Sequence, residues 1–371
     1  MNLQPWHICR SSAILNLSRA GRPAAPNRLI GVSVSDRYAS MRRWAAGILG
    51  SEDFELEPAS SDASFRRYWR LRHAGATTVL MDAPPDLEDC GRFADLSRRF
   101  RAVGLNTPEI HAEDRTAGFL MLTDFGERVY LGELTEDTAD RLYGDALGAL
   151  ATIQACGPTD GLPSYDEPFL RRELGLFSEW FLGALPGLVL SPEESAALSL
   201  VEDRLVASAL EQPRVCVHRD YHSRNLMLTE AGNPGILDFQ DAVVGPVTYD
   251  LVSLLRDCYI AWPVERVTDW ACGYFHLARQ SGVLQEDDLG RFLRWLDLMG
   301  VQRHLKACGI FARLDRRDGK PHYLADIPRT LGYVREVSGR YPELDGLSRL
   351  LDERVLPSLD ALVAPAPISG I

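Results

Sequence analysis

The chain is predicted to be an α+β protein of two lobes, a small β-containing N-terminal lobe and a larger, mostly helical C-terminal lobe. Three observations predict this. Short alternating apolar runs with turn residues between them dominate up to residue 123. Apolar stripes at helical spacing dominate after Gly126. The length, 371 residues with 46% apolar content, supports a substantial core, excludes wholesale disorder and exceeds one ordinary domain. The expected boundaries are a leader over 1–34, an N-lobe over 35–123, a C-lobe over 124–364 and a tail over 365–371.

The elements follow in order. Residues 36–49 carry Tyr38, Met41, Trp44, Ala45 and Ile48 on one helical face. Phe65–Leu71 and Thr77–Met81 flank Gly75 as a hairpin. Leu87–Val103 reads as a helix stopped by Gly104 and Pro108, and Phe119–Thr123 as a short apolar strand. Thr135 is a candidate N-cap, with Leu142, Ala146, Leu150 and Ile153 behind it. Phe169–Leu185 is helical by the spacing of Leu170, Leu174, Phe177 and Phe181. Ser191-Pro192-Glu193-Glu194 is a capping box with proline at the first helical position. No internal repeat is present.

Composition narrows the function classes. The chain has 52 acidic and 40 basic residues, a net charge of −12. That balance argues against a broad surface for nucleic acid or anionic lipid. No apolar run is long enough to span a membrane. Seven dispersed cysteines, with no C-x-x-C, fit a reduced cytoplasmic protein rather than a disulfide scaffold or zinc module. Residues 1–35 hold four arginines and no acid. They read as a disordered leader or a start codon placed too far upstream, with an organellar transit peptide as the alternative. Lys306 and Lys320 are the only lysines, the other 38 basic residues being arginine, which fits codon bias in a GC-rich genome.

The chemistry is concentrated in Val215–Leu228 and the strand that follows. Val215-Cys216-Val217 leads into His218-Arg219-Asp220-Tyr221-His222-Ser223-Arg224-Asn225, and Leu226-Met227-Leu228 leaves it. After a turn at 230–234, Gly235-Ile236-Leu237 ends at Asp238. Asp220, Asn225 and Asp238 thus stand at strand ends of one hairpin-like unit and can project into one cleft. Phosphoryl transfer needs such a set. One carboxylate orients the attacking hydroxyl, while an amide oxygen and a second carboxylate hold Mg²⁺ on the phosphates of ATP. H-R-D-x-x-x-x-N is the spacing of the kinase catalytic loop, so a protein-kinase-like fold is expected. Asp220 is the candidate catalytic base and Asn225 and Asp238 the candidate Mg²⁺ ligands. His218 is expected to organise the loop from a buried position. His218 and His222 form H-x-x-x-H, but Arg219 stands where a zinc protease needs glutamate.

Asp124-Phe125-Gly126 spells the metal motif of protein kinases but precedes the catalytic loop. Backbone groups around Leu122–Asp124 are instead expected at the crossing between lobes, against adenine. Ser51–Ala74 contains no glycine, so the phosphates must be covered by Ser60–Phe65, with Ser61 and Ser64 offering close backbone approach. Met81 stands where the strand lysine of kinases sits. Arg66 or Arg67 is the expected substitute. Asp250 follows only 12 positions after Asp238, and Thr248-Tyr249-Asp250-Leu251 already opens a helix. No peptide-displaying segment fits there, so the acceptor is small. Gln240, Asp241 and Arg256, with His222 and Arg224 of the loop, are candidate substrate contacts, and Tyr259, Trp262 and Trp270 candidate flat faces for a sugar ring.

These motifs resemble the aminoglycoside/choline phosphotransferase family. More narrowly, Ile236–Leu251, Ser64-Phe65-Arg66-Arg67-Tyr68, Met81-Asp82-Ala83-Pro84-Pro85, His304-Leu305-Lys306 and Gly309-Ile310-Phe311-Ala312-Arg313 are similar to the anomeric N-acetylmuramate/N-acetylglucosamine kinases of peptidoglycan recycling. The resemblance runs from about Ser35 to Leu362. It implies ATP-dependent phosphorylation of an amino sugar to its 1-phosphate, with Asp250 bracing the catalytic loop. Two alternatives stay open: a kinase for another small alcohol or amine, such as an aminoglycoside, choline or a different sugar, and a non-catalytic nucleotide-binding regulator.

Overall fold

Local sequence sets each element of the computed structural model, which describes residues 34–61, 65–185 and 187–363. The leader, the tail and Ser64 lie outside the described residues. Two compact units divide at Gly50. The first contributes helix α1 (Val34–Leu49). Everything below concerns the second, residues 51–371.

The N-lobe is a five-stranded antiparallel sheet. It comprises β1 (Glu55–Ser61), β2 (Arg67–His73) and β3 (Ala76–Asp82), then helix α2 (Cys90–Ala102), β4 (Ile110–Asp114) and β5 (Phe119–Thr123), in the order β1-β2-β3-β5-β4. Ala74 and Gly75 have φ of 50° and 79°, the left-handed pair that a two-residue hairpin turn requires. The β2–β3 register sets Tyr68 opposite Met81 and Arg70 opposite Val79. Side chains alternate along a strand, so Arg66, Tyr68 and Arg70 share one face and Arg67 takes the other. Gly118 lies against Ala83, where a Cβ would come within 1.9 Å of the Ala83 oxygen. Only glycine permits that approach.

Two N-lobe details differ from expectation. Helix α2 starts at Cys90 rather than Leu87. Leu87 and Glu88 donate to the Pro84 oxygen in a preceding turn, and Asp89 caps the helix by accepting from the Arg92 N–H at 3.1 Å. Strand β4 was not anticipated, because Ile110-His111-Ala112-Glu113-Asp114 is a half-exposed edge strand without an apolar run.

The C-lobe begins with α3 (Tyr130–Glu133), α4 (Ala139–Cys156), α5 (Glu167–Leu176) and α6 (Pro192–Leu210). Thr135 is not the N-cap of α4. Its carbonyl and hydroxyl close a turn over 135–138, and the helix starts four residues later. Asp166 caps α5 from a position earlier than expected, and after Leu176 the helix loosens into a π turn over 177–181. The capping box at Ser191–Glu194 forms as read. Strands β6 (Arg214–Val217), β7 (Leu226–Met227), β8 (Gly235–Ile236) and β9 (Val243–Pro246) follow. They make two ladders, β6 with β9 and β7 with β8, rather than one hairpin unit. The rest is α7 (Tyr249–Leu255), α8 (Val264–Gln280), α9 (Leu289–Asp318), α10 (Ile327–Ser338), α11 (Asp345–Leu350) and α12 (Leu356–Val363).

Helix α9 is 30 residues long and buried through most of its middle. Its backbone passes so close to the end of α5 that a Cβ on Gly309 would lie 2.4 Å from Leu176. α9 thereby reaches the underside of the loop between β6 and β7.

Candidate active site

The loop after β6 is held by backbone capture. Asp250, near the start of α7, accepts the His218 N–H at 2.6 Å and the Arg219 N–H at 2.9 Å. His218 is fully buried. Its Nε2 lies 3.0 Å from the Leu237 oxygen and its Nδ1 3.2 Å from the Asp220 nitrogen. The ring is therefore assigned as the Nε2–H tautomer, donating to Leu237 and accepting from Asp220. Burial lowers its pKa to about 4 and keeps it neutral. Burial raises the Asp250 carboxyl to about 7, against the pull of its two N–H donors.

Arg219 and Asp238 both adopt positive φ, 79° and 62°. Such backbone strain in non-glycine residues persists where the surroundings enforce it, typically at functional sites. Asn225 donates to the Asp220 carbonyl at 2.9 Å and sits 3.5 Å from Asp238 Oδ2. Leu237 N–H donates to the Asn225 oxygen of the main chain, tying the two motifs together. The structure thus brings Asp220, Asn225 and Asp238 together, with His218 and Asp250 beneath them.

The N-lobe meets this group through the cleft face of β2. Arg66 reaches Asp238 Oδ1 at 3.4 Å. Arg67 takes the opposite face, 3.8 Å from Asp82. Arg70 grips Asp124 at 2.7 Å, Glu127 at 2.5 Å and the Gly126 oxygen at 2.9 Å. Asp124 also accepts the Gly126 N–H at 2.9 Å, so its side chain is a brace at the crossing between lobes. Leu122 is buried in β5 beside Val79, and Ser61 ends β1 opposite Arg67.

Below Asp220 lies a cavity of about 90 Å³, lined among others by Arg219, His222, Tyr259, Arg303 and Lys306. Burial pushes the Asp220 carboxyl up, but Lys306, Arg219, His222 and His218 outweigh it and hold the pKa below the usual range. Asp220 is therefore ionised. Lys306 donates to the Tyr249 hydroxyl at 2.8 Å and pairs with Glu173 at 3.1 Å, while Arg219 pairs with Glu173 at 2.5 Å.

The expected substrate residues divide. Gln240 donates to Asp238 Oδ1 at 2.7 Å, and its own Oε1 is buried without a partner. His222 lines the cavity, and Arg224 lies over the Tyr259 ring, 3.6 Å from its centroid. Asp241 is exposed. Arg256 is not brought to the site. Helix α7 ends at Leu255, and the guanidinium of its C-cap turns to Asp297 of α9 at 2.5 Å. Trp262 and Trp270 bond Tyr143 and Asp140, away from the cavity. The residues that sequence reasoning missed are Glu173, Arg303 and Lys306. For Arg303 and Lys306 the sequence signal is the face Arg303, Lys306, Ala307, Ile310 and Phe311, at i, i+3, i+4, i+7 and i+8 of one helix, and Lys306 also stands in the His304-Leu305-Lys306 resemblance; Glu173 on α5 carries none.

Among the described residues, no group of three or more His, Cys, Asp or Glu side chains is placed to hold a metal, and no helix is long and apolar enough to cross a membrane. All described cysteines are free.

A five-stranded lobe over a helical lobe, with this loop between them, defines a kinase-like phosphotransferase. The model of the phosphotransferase enzyme family matches residues 55–286, and the chain belongs to that family. Its curated relatives include N-acetylmuramate/N-acetylglucosamine kinases. That of Pseudomonas putida is 48% identical over 298 residues, 80% of this chain and 88% of the relative. That of Neisseria meningitidis is 41% identical over 324 residues, 86% and 96%. Among solved structures, an ADP-bound aminoglycoside phosphotransferase matches 81% of this chain and 98% of its own at 15% identity, with a TM-score of 0.55. A choline kinase of Streptococcus pneumoniae covers 81% and 99% at 10% identity, with a TM-score of 0.56. These similarities establish the fold. The chain is an ATP-dependent phosphotransferase.

Proposed function

We propose that the protein phosphorylates the anomeric hydroxyl of N-acetylmuramate and N-acetylglucosamine, giving the sugar 1-phosphate for reuse in peptidoglycan recycling. The observation that carries this is the ionised Asp220 at the mouth of a narrow cavity, beside Asn225 and Asp238. The names of the relatives supply the sugar class.

Asp220 orients the C1 hydroxyl and receives its proton as the oxygen bonds to the γ-phosphorus and the bond to ADP breaks. Asn225 and Asp238 fit Mg²⁺. Asp238 offers a carboxylate, and the Asn225 Oδ1 takes no hydrogen bond among the described residues. Two protein oxygens suffice, because Mg²⁺ keeps waters and phosphate oxygens as its other ligands. When bound, the ion neutralises charge on the transferring phosphate. Arg66 takes the place of the missing strand lysine. It precedes Tyr68, the residue opposite Met81, on the cleft face, and already reaches Asp238.

A kinase for a cationic acceptor, such as an aminoglycoside or choline, is the second reading. Arg219, Arg303 and Lys306 around the cavity disfavour it. Incubation with Mg-ATP and each amino sugar, read by phosphorus NMR, tests the proposal. An acid-labile anomeric phosphate is expected. Phosphate on the 6-hydroxyl, or turnover only with a cationic acceptor, overturns it.

A further inference from the structure

We infer that Arg303 recognises a carboxylate on the acceptor, the lactyl carboxylate that distinguishes N-acetylmuramate from N-acetylglucosamine, with His222 as a second donor. The inference rests on the amino-sugar reading above.

Arg303 is buried on α9, 6% exposed, and lines the cavity below Asp220. A guanidinium carries five N–H donors in a fork shaped for a carboxylate. Arg303 spends one on the Cys258 sulfur at 3.6 Å and has no ion pair among the described residues. The neighbouring cations are paired: buried Lys306 and half-buried Arg219 with Glu173, and half-buried Arg256 with Asp297. Asp257 is close by but already occupied. Its Oδ2 accepts the Ser223 N–H at 2.9 Å and the Ser223 hydroxyl at 2.5 Å, and its Oδ1 accepts the Tyr259 N–H at 3.0 Å. Asp257 and Asp220 act on Arg303 through space without a direct hydrogen-bonded pair, so its remaining donors are open to a ligand anion.

A second observation points to the same place. His222 is buried, lines the same cavity, and its Nδ1 has no hydrogen-bond partner. As the Nδ1–H tautomer it has a donor to offer once a ligand reaches it. One stretch of the wall is apolar, formed by Ala307, Ile310 and Phe311. A lactyl ether presents a carboxylate and a methyl group. The cavity presents the Arg303 guanidinium and the His222 imidazole, beside an apolar stretch at Ala307, Ile310 and Phe311. The cavity is narrow, about 90 Å³, and has room for such a substituent. The ring itself then lies across the mouth, beside Asp220.

The test is the ratio of kcat/KM for N-acetylmuramate to that for N-acetylglucosamine, in the natural protein, Arg303→Met and Arg303→Lys. The ratio is expected to fall about 30-fold or more in the methionine variant and to recover partly with lysine. The methyl ester of N-acetylmuramate gives an arm that needs no variant. The natural protein should use the acid far better than the ester, and Arg303→Met should barely distinguish them. An unchanged ratio, or an ester used as well as the acid by the natural protein, overturns the inference. If the natural protein phosphorylates neither sugar, the amino-sugar reading itself fails and the inference falls with it.

Discussion

The Asp250 carboxylate holds two consecutive backbone N–H groups, those of His218 and Arg219, at 2.6 and 2.9 Å. It thereby fixes Arg219, the residue before Asp220, in a left-handed conformation that arginine resists. Asp250→Ala strands two buried donors and releases that strain. Stability should fall by about 3 kcal/mol, and kcat by about 100-fold or more. Urea denaturation and steady-state kinetics check both. A variant that loses stability but keeps kcat removes Asp250 from the positioning of Asp220.

Glu173 is almost fully buried between Lys306, Arg219 and the Tyr165 hydroxyl. Lys306→Met takes one cation from that carboxylate and from the surroundings of Asp220. The expected cost is roughly 3 kcal/mol, as for breaking a buried pair. Loss of Lys306 also raises the pKa of Asp220, so the acid limb of the kcat profile should move to higher pH. The exposed pair of Arg115 with Asp95 is the control: Arg115→Ala should leave the denaturation midpoint unchanged.

His218 makes stability depend on pH. Its folded pKa, about 4, lies below its ordinary 6.5, so its contribution is complete above pH 6.5 and is lost as pH falls through 4. Asp250 acts with the opposite sign. Its raised folded pKa gives a contribution complete below 3.8 and lost as pH rises through about 7. The two partly cancel between pH 4 and 7, and His218→Gln removes one of them. The stability difference between the natural protein and this variant should be larger at pH 7 than at pH 4 by at most roughly 3 kcal/mol. A difference independent of pH would contradict the neutral, buried assignment.

Arg66 faces the cleft and Arg67 does not, by simple strand alternation. Arg66→Ala should raise KM for ATP about tenfold with little change in KM for the sugar. Arg67→Ala should do neither. If Arg67→Ala is the damaging change, the phosphate charge comes from the other face of β2.

Legibility in the sequence followed locality. Asp220, Asn225, Asp238, His218 and Asp250 were readable because a contiguous motif and a short following segment encode their spacing. The hairpin at Gly75 and the capping box at Ser191 were readable because turn and cap chemistry is local. Arg256 was misplaced because the end of α7 at Leu255 depends on packing against α9, which carries its partner Asp297. Glu173, Arg303 and Lys306 were missed for the same reason. They come from helices far away in sequence, and only tertiary contact with the loop gives them a role.

Single-turnover phosphoryl transfer by Asp220→Asn, measured beside its affinity for ATP, tests the central claim most directly. The amide keeps the shape of the side chain but accepts a proton poorly. The account predicts a rate lower by about 10³-fold, with nucleotide affinity unchanged within about twofold. Transfer within about tenfold of the natural protein would contradict it, because Asp220 would then not be the base.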